Sequence, residues 1–476
     1  MEEYETVIGL EVHVELLTDS KMFCGCSTKF GASPNSQICP VCAGFPGTLP
    51  VINKRAVELA LKTAVALNCK ISHFSRFARK HYFYPDLPKN YQISQYEEPL
   101  ATEGVLLVDN RSIRIRRIHL EEDAGKLIHP EDNSRFSLVD LNRSGVPLIE
   151  IVTEPDIRSA LEAEKFLTVL KRILEYLEVS DCNMEEGSLR CDANISVRMT
   201  GDKDLGVKIE IKNMNSFKAV RKALEYEARR QIACLKEGHT LRQETRLWNE
   251  DLQITEEMRR KEETQDYRYF PEPDLPPLIF DNKIVEEINT QVGELPFQRK
   301  DRFIKEYILS EYDAGVLTSK KDIADYFERC VEKGGKPKMV ANWLMGDLTA
   351  LLKSAKKDIS VSPVTPEYLV QLISMIEDGK ITGAAAKSVL QECFNTGMPP
   401  EKIVSERNLL QIEDDETVSN IVKEVITENT GAVNDYKSGK EEALSFLIGQ
   451  IMRKTKGKIN PSKVKNKLLE YLNKKE

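Results

Sequence analysis

"TVIGLEVHVEL", residues 6–16, settles how the chain begins to fold. Glu11, His13 and Glu15 stand at every second position, with Leu10, Val12, Val14 and Leu16 between them. A period of two belongs to a strand with one apolar face; on a helix the three polar side chains would scatter around the axis. The strand therefore sets His13 between two carboxylates along one face. Two readings follow: a half-exposed strand whose polar face is merely solvated, or a site for a divalent metal or for acid–base chemistry. The rest of the chain has to decide between them.

Two further stretches place carboxylates where a sheet would not ordinarily want them. In "VPLIEIV" (146–152) Glu150 sits inside an otherwise apolar strand, so it is expected to be protonated, paired or bound to a metal. In "IHLEEDAGK" (118–126) Glu121, Glu122 and Asp123 end another strand. Carboxylates and one imidazole drawn from three strands suit Mg²⁺, which prefers oxygen ligands and leaves room for phosphate oxygens. His13 is the odd member for so hard a cation, and its alternative role is to hold a carboxylate. Later, "SLRCDANISVR" (188–198) and "VKIEIK" (207–212) alternate in the same way. Arg190, Asp192 and Asn194, with Lys208, Glu210 and Lys212, share the polar side if the two stretches pair as a hairpin. That face is either solvated or built for an anion. No GxxxxGK[ST] loop and no G-x-G-x-x-G occurs, so a nucleotide would have to be held by metal and side chains on a sheet. "RKHYFYPDLPKNYQISQ" (79–95) interleaves cations with aromatics in a turn-rich segment, as a surface that stacks bases does, or a packed loop.

Outward from these stretches, 476 residues exceed one ordinary core. Strands at 104–109, 111–120, 145–156, 187–199 and 206–214 alternate with helical patterns at 53–68, 159–178 and 216–238. This order predicts an α+β fold, a largely antiparallel sheet with helices packed on one side. The proline-rich "FPEPDLPPL" (270–278) reads as a boundary, and the patterns beyond 295 are helical only. Three domains are expected: 1–293, a helical connector 294–405 and a small helical tail 406–476. Net charge is −8, yet residues 436–476 hold eleven Lys/Arg against four Asp/Glu, so the remainder carries about fifteen negative charges and only the tail is basic. The acidic "MEEYETV" is unlike a signal peptide, and no apolar run could span a membrane, so a cytoplasmic protein is expected.

Four of the ten cysteines crowd into "CGCSTKFGASPNSQICPVC" (24–42). Cys24 and Cys26 form a C-x-C and Cys39 and Cys42 a C-x-x-C, a spacing that suits a tetrahedral thiolate zinc site; loose thiols or a redox pair are the alternatives. Four sulfurs leave no open coordination position, so zinc there would staple a loop. The other six cysteines are expected to be small core residues.

"IGLEVHVEL", "YFYPDLPKNYQISQ", "HLEEDAGK", "PLIEIVTEPD", "MEEGSLRCDANISVR", "KNMNSF" and "DYRYFPEPDLPP" resemble the B subunits of bacterial tRNA-dependent amidotransferases. The likeness continues through "NWLMGDL" into "FLIGQIMRKTKGKINP" and so spans essentially the whole chain. It implies a first domain similar to the catalytic domain of glutamine synthetase, with ATP and Mg²⁺ on the sheet, and a tail that contacts tRNA. It implies phosphorylation of the side-chain carboxylate of Glu-tRNA(Gln) or Asp-tRNA(Asn), then amidation. By the same resemblance Glu11, His13, Glu122 and Glu150 are metal and catalytic positions, with Glu121 beside them. Arg190, Asp192, Lys208, Glu210, Lys212 and Arg268 are the expected contacts to nucleotide or acceptor end. Zinc on Cys24, Cys26, Cys39 and Cys42 is structural, and not every member of the family has these four cysteines. The chain shows no Gly/Ser-rich amidase segment, so a separate amidase subunit would supply ammonia and a small third subunit would complete a heterotrimer. Two rival readings are a ligase acting on a free amino acid and a non-catalytic tRNA-binding scaffold.

Overall fold

A computed structural model describes residues 3–109, 111–128, 130, 136–260, 266–411, 414–455, 458–459 and 461–473. Met1 and Glu2 of the acidic N-terminus, Lys456, Lys474 and Lys475 of the basic tail, and Gly457 and Asn460 of "FLIGQIMRKTKGKINP" lie outside the described residues. The chain divides into two compact units, residues 1–295 and 296–476.

The opening alternation does form a strand, β1 (Tyr4–Glu15), and it lies at the centre of the sheet. The next strands are β2 (Lys70–Ile71), β3 (Phe74–Ser75), β4 (Ala78–His81), β5 (Tyr91–Ser94), β6 (Ala101–Val108) and β7 (Arg111–Glu122). They are followed by β8 (Lys126–Ile128), β9 (Leu138–Asp140), β10 (Pro147–Thr153), β11 (Leu189–Met199), β12 (Ile209–Lys212), β13 (Glu244–Asn249) and β14 (Ile254–Arg260). Among the described residues nine of these make one sheet in the order β14-β13-β12-β11-β1-β10-β7-β6-β2. Every pair in it is antiparallel except β12–β13. The α+β class read from the sequence is thus the one observed, and β11 and β12 pair antiparallel as their patterns predict.

Helices α1 (Lys54–Ala66), α2 (Ala160–Tyr176) and α3 (Phe217–Lys236) begin at Asn53, Ser159 and Ser216, whose side chains each accept a hydrogen bond from a first-turn amide. They pack on the sheet against β6, β7 and β11. Leu10, Val12 and Val14 of β1, Ile149 and Ile151 of β10 and Ala193 and Ile195 of β11 are buried there. Each large aliphatic side chain so buried stabilises the unit by roughly 1.5–3 kcal/mol, which pins the register and turns Glu11, His13 and Glu15 to the other face.

The proline-rich segment does not end this unit. Its first residues form β15 (Phe270–Pro271), paired with β4, and the chain then forms β16 (Leu278–Ile279), paired with β3. Helix α4 (Asn282–Val292) packs on α1 before the unit closes at Leu295. Pro271 is tolerated because β15 is an edge strand, where an N–H is dispensable.

The second unit is helical throughout its described residues and contains two hydrophobic cores. One runs from Phe303 to Val404 and includes Trp343, Leu344 and Leu348 of the "NWLMGDL" stretch. The other gathers Val418, Val422 and Val425 with Leu447, Ile451, Val464 and Leu468 from three helices of the basic tail. No helix among the described residues is long and apolar enough to cross a membrane.

Candidate active site

Register brings the polar side chains together before any side-chain geometry is considered. His13 lies directly opposite Glu150 on β10 and Arg190 on β11, and Glu150 lies opposite His119 on β7. Directly opposed residues point to the same side, so Arg190, His13, Glu150 and His119 form one row across four strands. Glu121, two residues beyond His119, falls on the same face.

His13 Nε2 stands 3.5 Å from Glu121 Oε1 and 3.6 Å from Glu150 Oε2. These separations are too long for hydrogen bonds. The three atoms instead surround a common point, all within 4.8 Å of one another, as ligands of one ion do. Adjacent ligands of an octahedral ion at about 2.1 Å lie about 3.0 Å apart, so His13 would close on each carboxylate by roughly half an ångström. His119 approaches from behind: its Nε2–H donates to Glu150 Oε2 at 3.0 Å and lies 3.7 Å from Glu121 Oε2. Its Nδ1 is buried with no hydrogen-bond partner among the described residues. Ser94 Oγ of β5 donates to Glu121 at 3.1 Å.

Burial acts against every charge in this cluster, and the mutual attractions outweigh it. Burial would lift the Glu150 carboxyl, but His119, His13 and Lys80 hold it well below the usual carboxylate range. Glu121 is depressed for the same reason, with His119 the main partner. Burial opposes the charge on His119, yet Glu150 and Glu121 raise it to about 9. Lys80 on β4 is likewise raised against burial by Glu121, Tyr269 and Glu150, and it makes no ion pair among the described residues. A cation with two buried carboxylates near it and none in contact is placed to receive an anion.

The remaining residues named from the sequence divide between this cluster and its surroundings. Glu11 shares the face but is held by Asn194, whose Nδ2 donates at 2.9 Å, and it lines a hollow of about 200 Å³ with Arg116, Ser196 and the exposed Lys208. Glu122 is not brought into the cluster. Neighbouring strand residues face opposite ways, and Glu122 turns to the Lys89 ammonium and the Ile93 amide while Glu121 faces His13. Arg190 is fixed by Asp123 at 2.8 Å, and Asp123 lies 3.5 Å from Arg143 as well. Burial, then the charge of Asp123, pushes Glu15 up to about 8, so that acid keeps its proton beside the Asp123 carboxylate. Lys212 pairs with Asp192 and, at 3.1 Å, with Glu210, which also accepts from Thr245 at 3.0 Å. Arg268 is exposed on the rim, in left-handed backbone, with Asp266 at 3.7 Å. Sequence reasoning missed His119, and it took Lys80, with Arg79, only as a cation of the aromatic segment and not as a neighbour of the cluster. Strand parity offered a signal for the first, because His119 and Glu121 alternate within "IHLEE".

The four loop cysteines come together as their spacing predicts. Cys42 Sγ lies 4.0 Å from Cys26 Sγ and 3.9 Å from Cys39 Sγ, and all four sulfurs lie within 4.8 Å of one another. A tetrahedron of sulfurs at 2.3 Å from zinc has edges of about 3.8 Å, so the set fits that ion. Cys24's thiol and the Cys39 amide, with Lys21, hold the Cys42 thiol down to about 4 against its burial, while burial raises Cys26 to about 11. All ten cysteines are free thiols; of the other six, Cys182, Cys191, Cys330 and Cys393 are buried and Cys69 and Cys234 partly so.

Fold and site define an α+β enzyme whose buried carboxylates and imidazoles meet at the centre of an antiparallel sheet, followed by helical units. The GatB/GatE catalytic domain model matches residues 6–286 and the GatB domain model residues 325–472. The chain is 56% identical over 476 residues to the aspartyl/glutamyl-tRNA(Asn/Gln) amidotransferase B subunit of Thermoanaerobacter sp. (strain X514), covering 99% of this chain and 100% of that one. The protein of the same name from Carboxydothermus hydrogenoformans is 54% identical over 478 residues, with 99% of each chain covered. That of Caldicellulosiruptor bescii is 52% identical over 479 residues, with 99% of this chain and 100% of the relative covered. The chain belongs to this family, the B subunits of tRNA-dependent amidotransferases, which are transamidase subunits of the carbon–nitrogen ligase class.

Proposed function

We propose that this chain phosphorylates the side-chain carboxylate of Glu-tRNA(Gln), Asp-tRNA(Asn) or both with ATP, and then amidates it with ammonia from a partner amidase subunit. The observation that carries this reading is the cluster of His13, Glu121 and Glu150 with the Lys80 ammonium, which makes no ion pair among the described residues, beside it. Ammonia does not displace oxide from a carboxylate. Transfer of the γ-phosphoryl group to a carboxylate oxygen gives an acyl phosphate and ADP; ammonia then attacks the carbonyl carbon and inorganic phosphate leaves. Mg²⁺ bound at His13, Glu121 and Glu150 would neutralise charge on the phosphate oxygens and align the transfer.

The chain's own residues do the rest. His119 donates to Glu150 and so fixes that carboxylate's orientation. Lys80 and Arg190 offer cations to phosphate oxygens from opposite sides of the cluster, and Asp123 keeps Arg190 in its row. Glu11 and Lys208, in the hollow along the same face, are placed for the nucleotide. Zinc held by Cys24, Cys26, Cys39 and Cys42 is structural, since four thiolates leave no site for substrate. The basic tail binds tRNA phosphates, a heterotrimer is completed by a small third protein, and the complex works in the cytoplasm. ATP hydrolysis by the complex reconstituted with both partner proteins, in Mg²⁺ and without an ammonia donor, tests the reading. Stimulation by charged tRNA alone supports it; stimulation by free glutamate would overturn it in favour of a small-molecule ligase.

A further inference from the structure

Beside the carboxylate cluster, five tyrosines from three segments form an unbroken series of rings. Tyr84 stacks on Tyr82 with centroids 5.7 Å apart and planes 26° apart. Tyr82 meets Tyr267 edge-on at 6.5 Å, and Tyr267 meets Tyr269 edge-on at 6.1 Å. Tyr269 then lies flat on Tyr96, 4.2 Å away and 8° from parallel. Cations are set into the series: the Lys80 ammonium is 5.1 Å from the Tyr267 centroid, and the Arg117 guanidinium 6.0 Å from that of Tyr96.

This is not a core. Tyr84 is 44% and Phe83 77% exposed, at the edge of an open hollow of about 800 Å³ that Tyr82, Arg268 and Phe270 also line, and at the other end of the series Tyr96, 47% exposed, lines a separate small hollow with Tyr269. The series is nevertheless held rigidly. β4 pairs with both β5 and β15, which brings the 82–84 and 267–269 segments together, and the His81 ring meets the Arg268 carbonyl at 3.1 Å. Packing alone would bury the outermost rings, whereas Tyr84 and Tyr96 keep exposed surface at the two ends. Rings with open faces and cations between them are how proteins hold unpaired bases and the phosphates that join them. The position of Lys80 makes this more than a surface patch: its ammonium sits on Tyr267, and its strand β4 pairs with β5, whose Ser94 donates to Glu121. A strand stacked along the rings is thereby led to the carboxylates.

Resting on the function proposed above, in which the reacting carboxylate is carried by the terminal ribose of a tRNA, we propose that these tyrosines are the stacking track for its unpaired 3′-terminal nucleotides. The track delivers the esterified amino acid to the cluster, and Lys80, on the middle ring Tyr267, marks where the two meet.

The test uses the complex reconstituted with its partner proteins and an uncharged tRNA carrying 2-aminopurine at its 3′-terminal position, whose fluorescence is quenched when it stacks. The wild-type complex is expected to quench it. Tyr84→Leu and Tyr96→Leu should lose the quenching, while Tyr84→Phe and Tyr96→Phe, which keep the ring, retain it. With charged tRNA the leucine variants should show KM raised roughly tenfold at nearly unchanged kcat, the loss expected of about one stacked base. Quenching and KM at wild-type values in both leucine variants would overturn the track. So would loss of a partner protein from the leucine variants with quenching intact, which would make the rings a protein contact. The binding arm needs neither ATP nor a charged tRNA. Ring-dependent quenching without tRNA-stimulated ATP turnover would therefore uphold the track and refute phosphoryl transfer, and turnover without ring dependence would do the reverse.

Discussion

Lys21 is completely buried, and its ammonium has two partners among the described residues: the Leu141 carbonyl at 3.1 Å and Cys42 Sγ at 3.6 Å. The thiolate is its only anionic neighbour among them, so Cys42 does two jobs, as a metal ligand and as a counter-ion. At 3.6 Å and an effective dielectric constant of about 20, the attraction is about 4–5 kcal/mol. Breaking a buried pair by removing one partner costs a similar ~3–5 kcal/mol. Cys42→Ser and Cys26→Ser both remove one of four ligands and should abolish zinc retention alike. Cys26 is half-buried and no cation depends on it, so Cys42→Ser should destabilise the first unit by about 3 kcal/mol more. Adding Lys21→Met to Cys42→Ser should recover most of that difference, since the uncompensated ammonium is then gone. The assay is urea denaturation followed by circular dichroism on the four members of the double-mutant cycle, with zinc counted in each. Equal costs for the two serine variants, or a coupling energy near zero between Lys21 and Cys42, would refute the counter-ion argument even if zinc were lost from both.

Glu150→Gln keeps the shape and an acceptor for His119 but removes a ligand charge; tRNA-stimulated ATP hydrolysis should fall at least ~100-fold while tRNA binding by filter retention stays nearly unchanged. Glu121→Gln should abolish Mn²⁺ binding at the cluster, whereas Glu122→Gln should leave it intact, as read by the paramagnetic resonance of free Mn²⁺. In metal-free protein His119 is raised from 6.5 to about 9, so its stabilisation is complete below pH 6.5 and is lost as pH rises through about 9. Denaturation in EDTA should show a loss on the order of 3 kcal/mol over that window, and a flat profile would remove the charged imidazole from the cluster. Binding of tRNA should weaken linearly on a log–log salt plot, and Lys465→Gln should reduce the slope by somewhat less than one; an unchanged slope would take that residue off the tRNA contact.

Much of the fold was legible because alternation and burial say the same thing in the central strands. Leu10, Val12 and Val14 had to be buried, so β1 could take only one register and its polar face followed. The proline-rich segment misled because composition reports where regular structure ends, not where a packing unit ends. Phe270–Pro271 and Leu278–Ile279 are strands of two residues each, too short for any periodic signal, and only their tertiary partners β4 and β3 make them part of the sheet unit. Lys80 could be read only as a cation among aromatics, since its place beside Glu121 and Glu150 is set by β4, a strand of four residues in which no position is fully buried.

The site was legible to the extent that strand parity was applied to it. Glu121 and Glu122 are indistinguishable in charge and composition, and a motif read as a string treats them as one acidic unit. In a strand they cannot act together: the residue two positions from His119 must share its face and the next must not. The observed partners follow that rule, with Glu121 beside His13 and His119 and Glu122 beside Lys89. The same rule recovers His119, whose side chain looks like an ordinary core histidine until its parity with Glu121 and its register opposite Glu150 are combined. What parity cannot supply is the pairing itself. That β1 lies between β10 and β11 follows from closing the whole sheet, and no local stretch of the chain encodes it. Residue types and faces could therefore be read directly, whereas the row Arg190–His13–Glu150–His119 needed the tertiary fold.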